Sequence, residues 1–166
     1  MIYYIGNSIY SLNNLKEVIK GEKVMNAQNT MKLEFLAIAE NKEFAGTVVD
    51  FFIRQVDMST QEMEDIIFSV KEIVDNVILH AYPNEKGKVT IFCRILKNDV
   101  LEIIVKDKGV GIKNVNDAMQ TFFTTVGEEH CGLGFNIVKS FMTKVTVKSS
   151  MGKGTSVCMK KKIKRK

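Results

Sequence analysis

Residues 60–82, TQEMEDIIFSVKEIVDNVILHAY, decide the fold. Apolar side chains at Met63, Ile66, Ile67, Val70, Ile73, Val74, Val77, Ile78 and Ala81 recur three and four apart, the spacing that lays one stripe along an α-helix. Ser59 or Thr60 can cap the start, and Pro83, which cannot continue a helix, stops it. Glu72, Asn76 and His80 stand at i, i+4 and i+8 and form a polar line roughly opposite the apolar stripe. Spacing alone reads as a solvated face. The alternative is a site: an Asn amide oxygen can ligate Mg²⁺ beside phosphate oxygens, and a carboxylate one turn away can orient or deprotonate a hydroxyl.

On the N-terminal side, KLEFLA (32–37) alternates apolar and polar as a half-buried strand does, and residues 41–55 carry a second helical stretch. Residues 1–30 have no strong period and contain Met25, with Met31 close behind, so they read as an extension to a domain spanning 31–163. On the C-terminal side, KVTIFCRIL (88–96) and VLEIIVKD (100–107) are strand-like and flank a hairpin turn at Lys97, Asn98 and Asp99. A glycine-rich loop, a helical or mobile stretch, a helix from about 133 to 142, and strands at 144–150 and 155–161 complete the series. This order predicts an α+β fold of two layers, a mostly antiparallel mixed sheet with its helices gathered on one face.

Composition narrows the function classes. The chain of 166 residues holds one Pro and no low-complexity linker, which suits a single domain, and no apolar run approaches the roughly 18 to 20 residues that span a bilayer. The first twelve residues lack the basic region and cleavage site of a secretory signal. Cys93, Cys131 and Cys158 are odd in number and far apart, as expected of reduced, inert thiols in a cytoplasmic protein. Of the 24 basic residues, six lie in the terminal run 160–166, and the remaining 18 against 19 acids leave a near-neutral body. Direct DNA binding is therefore not expected, and the run reads as a solvated, frayed tail.

Three further motifs carry chemistry. Asp107-Lys108-Gly109-Val110-Gly111 directly follows an apolar strand: the carboxylate only accepts hydrogen bonds, as an exocyclic amine like that of adenine requires, and the glycines permit a tight turn and close backbone approach to a ligand. An ordinary strand-ending turn is the plain alternative. A dinucleotide fingerprint would need glycine at 114, where Asn114 stands. Gly132-Leu133-Gly134 opens an apolar helix, where free N–H groups and the helix dipole suit a phosphate. Gly154-Thr155 begins the last strand and offers a hydroxyl.

In order and context these segments resemble the N, G1, G2 and closing Gly-Thr boxes of the Bergerat-fold (GHKL) ATPases. Several flanking stretches, KLEFLAIAENKEFA, DNVILHAYPNEKGKV, FFTT and CGLGFNIVKSFM, are similar to the sporulation branch of the anti-sigma-factor serine kinase family. The resemblance implies ATP and Mg²⁺ as ligands, Glu72 as catalytic carboxylate, Asn76 as Mg²⁺ ligand with His80 in the same line, and Asp107 as adenine anchor. It implies Gly109, Gly111, Gly132, Leu133 and Gly134 as nucleotide loops, Thr124 and Thr125 within a lid spanning 113–131, and Thr155 as the closing threonine. It further implies a sigma factor and an anti-anti-sigma (STAS-type) protein as partners, and a homodimer. Two positions depart from the family pattern: Gly46 on the first helix, and His130 at the end of the lid, where relatives carry arginines. An ATP-binding regulator without kinase turnover, and a detached histidine-kinase catalytic domain, are the alternatives.

Overall fold

A computed structural model describes residues 3–5, 8–10, 27–118 and 134–163. Strands β1 (Tyr3–Ile5) and β2 (Ser8–Tyr10) pair as a small antiparallel hairpin. Five longer strands, β3 (Ala27–Leu36), β4 (Lys88–Leu96), β5 (Val100–Lys106), β6 (Lys144–Ser150) and β7 (Gly154–Lys162), form a second sheet in the order β3-β4-β5-β7-β6. Every pairing in it is antiparallel. The helices are α1 (Asn41–Ile53), α2 (Thr60–His80), the single turn α3 (Val115–Ala118) and α4 (Gly134–Phe141).

Period-two burial creates the core. Val89, Ile91, Cys93 and Ile95 of β4 are buried, and in register Ile91 faces Val105, Cys93 faces Ile103 and Ile95 faces Leu101. Val157 and Met159 of β7 extend the same rows. Against them pack Ile66, Val70, Ile73, Val74 and Val77 of α2, together with Ala45, Val49, Phe52 and Ile53 of α1. Each buried Val, Ile or Phe among them contributes on the order of 1.5–3 kcal/mol when removed from water, which explains why the apolar stripe of α2 sets the layer arrangement. Ser59 caps α2 with a full capping box: its Oγ accepts from Glu62 N at 3.2 Å, and its own N–H donates to the Glu62 carboxylate at 3.0 Å.

Two boundaries differ from expectation. Strand β3 begins at Ala27, because Thr30 and Asn29 continue the pairing to Arg94 and Ile95, and Ala27 joins Leu96 across a bulge, although AQNT carries no apolar alternation. The lysine run does not begin as a frayed tail. Lys160, Lys161 and Lys162 belong to β7, in which Val157 and Met159 are buried, as is Ile163 just past its end; Lys161 lies in the same alternating row, and its Nζ donates to Phe141 O at 2.6 Å. Lys160 reaches Glu102 at 2.9 Å, with Arg94 on the other carboxylate oxygen. Residues 164–166 lie outside the described residues.

Asp99, at φ 59°, closes the predicted hairpin turn in the left-handed region that aspartate tolerates. Cys93 sits in the core, where burial pushes its thiol up to about 12, and burial likewise raises Cys158. Neither is a nucleophile near neutral pH. Cys131 lies outside the described residues. No helix among the described residues is long and apolar enough to cross a membrane.

Candidate nucleotide site

The polar line of α2 is half-buried, and its Glu72 and Asn76 lie beside the start of α4, so it is not a solvated face. A Cβ placed on Gly134 would lie 2.9 Å from Glu72 Oε2 and 3.9 Å from Asn76 Nδ2. Glycine at this position therefore leaves the room that the Glu72 carboxylate occupies. Phe68 of α2 meets Phe141 of α4 edge to face, with ring centroids 5.8 Å apart, which holds the two helices together at the far end of α4. His80 is half-buried in the last turn of α2. Neighbouring charges of α2 are engaged with α1: Lys42 pairs with Asp75 at 3.0 Å and Lys71 with Glu43 at 2.5 Å.

The second group sits where β5 ends. Asp107 is buried, and its Oδ1 accepts from Gly109 N at 2.9 Å and from Thr155 N at 3.1 Å. Its own N–H donates to Thr155 O at 3.0 Å. Both side-chain bonds end on Oδ1, which leaves Oδ2 as the acceptor for a further donor. Burial pushes the Asp107 carboxyl up, and the bonds from Gly109 and Thr155 offset this only in part, so the net displacement is upward. Acidification thus removes this acceptor earlier than at an ordinary aspartate.

The glycines of this loop answer to the protein's own backbone. A Cβ on Gly109 would overlap the Ala81 carbonyl, where α2 ends, and Val110 N donates to that same oxygen at 2.9 Å. Gly111, at φ 77°, passes against Ser150 O, while Gly152 N donates to Val110 O at 2.8 Å. The loop is thereby wedged between the end of α2 and the β6–β7 turn. Thr155 lies 2.9 Å, hydroxyl to hydroxyl, from Ser149, whose Oγ also accepts from Ile112 N at 2.8 Å. No local pattern in the sequence marks Ser149 or Tyr82. Ser149 becomes visible only once the register Ser149↔Thr155 is known.

The two groups share α2. Glu72 and Ala81 are nine residues apart, about 14 Å along the helix axis. Thr124, Thr125, His130, Gly132 and Leu133, with most of the lid expected at 113–131, lie outside the described residues. Gly46 is buried in α1 under the aliphatic stem of Lys71, whose Cγ would be 3.1 Å from an added Cβ. Among the described residues no three His, Cys, Asp or Glu side chains converge on a cation. What the site offers Mg²⁺ is the Asn76 amide beside a carboxylate, a donor set that fits a hard ion carried in on phosphate oxygens.

Residues 39–161 match the family model of the histidine kinase-like ATPase domain. The anti-sigma F factor of Clostridium acetobutylicum is 41% identical over 136 residues, covering 81% of this chain and 94% of that protein. That of Caldanaerobacter subterraneus subsp. tengcongensis is 45% identical over 141 residues, covering 84% and 97%. Among solved structures, the RsbU and RsbW domains of a Mycobacterium tuberculosis protein align with a TM-score of 0.61 at 12% identity, over 84% of this chain and 34% of that one. The histidine kinase domain of a blue-light activated histidine kinase from Erythrobacter litoralis gives 0.53 at 19% identity, over 74% and 60%. At these identities the structural matches speak to the fold.

Proposed function

The chain belongs to the histidine kinase-like ATPase domain family and, within it, to the anti-sigma F factors, and from this premise we propose an ATP-dependent anti-sigma factor that also acts as a protein serine kinase. In this reading it holds a sigma factor and transfers the γ-phosphoryl group of Mg²⁺-ATP to a serine of a STAS-type antagonist, as a cytoplasmic homodimer. The observation that carries the reading is the placement of two complementary half-sites on one helix: Asp107 with Thr155 beside the end of α2, and Glu72 with Asn76 beside Gly134 in its middle.

Asp107 accepts from the base amine and so favours adenine, while Thr155 and Ser149 brace it. Asn76 would hold Mg²⁺ through its amide oxygen. The N-terminus of α4 at Gly134 presents backbone N–H groups and the positive end of its dipole to phosphate oxygens. Glu72 orients the incoming serine hydroxyl and takes its proton. Magnesium, when bound with the nucleotide, offsets the charge of the phosphate oxygens.

The direct test is transfer of label from γ-labelled ATP to a purified STAS-type antagonist, with a sigma factor present or absent. Label on an antagonist serine is the expected result. Nucleotide binding with no label on any antagonist leaves a regulator that uses ATP only as a structural ligand. Label on a response regulator aspartate points instead to a histidine-kinase-type domain.

A further inference from the structure

We infer that Tyr82 is a positioning residue for the nucleotide loop, a role that rests on the reading of Asp107 as the base anchor. Tyr82 lies just past the end of α2, and its hydroxyl bridges two other elements. The oxygen accepts from Lys108 N at 2.8 Å and donates to Lys88 O, the first residue of β4, also at 2.8 Å. The ring fills the space over Gly87, where an added Cβ would overlap it. Lys108 directly follows Asp107, so the tyrosine hydroxyl fixes the peptide on which the aspartate turns. The next anchor along the loop, Val110 N to Ala81 O at 2.9 Å, comes from the neighbouring residue of the same helix end. Two consecutive residues of α2's terminus thus hold the loop from one side, and Thr155 holds Asp107 from the other.

The consequence is a split between binding and chemistry. Tyr82→Phe keeps the ring over Gly87 and removes only the hydroxyl. It leaves Lys108 N and Lys88 O without this partner and frees the loop to shift under the base, far from Glu72. The dissociation constants for Mg²⁺-ATP and for ADP are expected to rise together, about tenfold. Phosphotransfer at saturating ATP is expected to stay within twofold of the wild-type rate, and amide exchange at Lys108 to accelerate. A merely structural role would lower the melting temperature without separating binding from turnover. Gly87→Ala, which displaces the ring from the β4 side, should shift both dissociation constants in the same direction and carries the test if Tyr82→Phe fails to fold. Unchanged nucleotide affinity in a folded Tyr82→Phe chain overturns the inference, as does an equal loss in turnover at saturation. A wild-type chain that binds no adenine nucleotide sinks the reading of Asp107 instead, and so the two failures are distinguishable.

Discussion

Gly109→Ala is expected to lower stability by roughly 3–5 kcal/mol and to abolish nucleotide binding. The added methyl has no room: its position overlaps the Ala81 carbonyl oxygen and lies 2.6 Å from the carbonyl carbon and 2.7 Å from Ala81 Cβ. These are backbone and near-backbone atoms at the end of a 21-residue helix, so they cannot swing aside as a long side chain would. Relief requires the loop to lift away, which breaks the 2.9 Å bond from Val110 N to Ala81 O and, through Val110, the 2.8 Å bond from Gly152 N. Domains of this size lose about 2–4 °C of melting temperature per kcal/mol, so the fall should be on the order of 10 °C or more. Gly152→Ala is the control. Its Cβ would meet nothing within 4 Å, and it carries only the cost of its left-handed φ of 70°, roughly 1–2 kcal/mol. Thermal unfolding followed by circular dichroism decides between them: equal melting temperatures for the two variants would show that the loop is not wedged against α2.

Glu72→Gln is expected to reduce phosphotransfer by about 10²- to 10⁴-fold while leaving ATP affinity within a few fold. Glutamine keeps the length and shape of the side chain, so packing beside Gly134 is preserved, but the amide cannot take the proton of a serine hydroxyl. The location of Oε2, 2.9 Å from where any Cβ on Gly134 would stand, places the carboxylate at the mouth of α4. That is the end of the helix suited to phosphate, well removed along α2 from the base-binding loop. Single-turnover transfer to the antagonist, run beside an ATP titration, separates the two quantities. A rate within threefold of wild type would remove Glu72 from the chemistry.

Much of the fold was legible in residues 60–82 because helical periodicity and the Ser59 cap act locally, and the structure realises both. The hairpin at 97–99 was legible for the same reason. The start of β3 was not, since Asn29 and Thr30 are held by pairing with β4 rather than by any apolar alternation of their own. The last strand was legible at 155–161, but the lysine run also read as a tail from residue 160; Lys161 instead keeps its charge on the Phe141 carbonyl while the row of Val157, Met159 and Ile163 stays buried, so the run opens as strand. At the site, Asp107 and its glycines stood out from sequence, but the reason for the glycines did not. Gly109 and Gly111 are required by Ala81 and Ser150, residues brought there only by the fold. Tyr82 and Ser149 act through hydroxyls across 26 and 37 residues of chain, a separation that no local pattern reports.

The most direct measurement is calorimetric titration of Mg²⁺-ATP into the wild-type chain and into Asp107→Asn. The asparagine retains an oxygen for the Gly109 and Thr155 N–H groups but can present an amide donor where Oδ2 stood, facing the donor of the adenine amine. Wild-type binding with a loss of about 10- to 100-fold in a folded Asp107→Asn chain is the expected result, from the 1.5–3 kcal/mol of a hydrogen bond to a charged group. An unchanged dissociation constant in that variant would contradict the placement of the nucleotide base at Asp107.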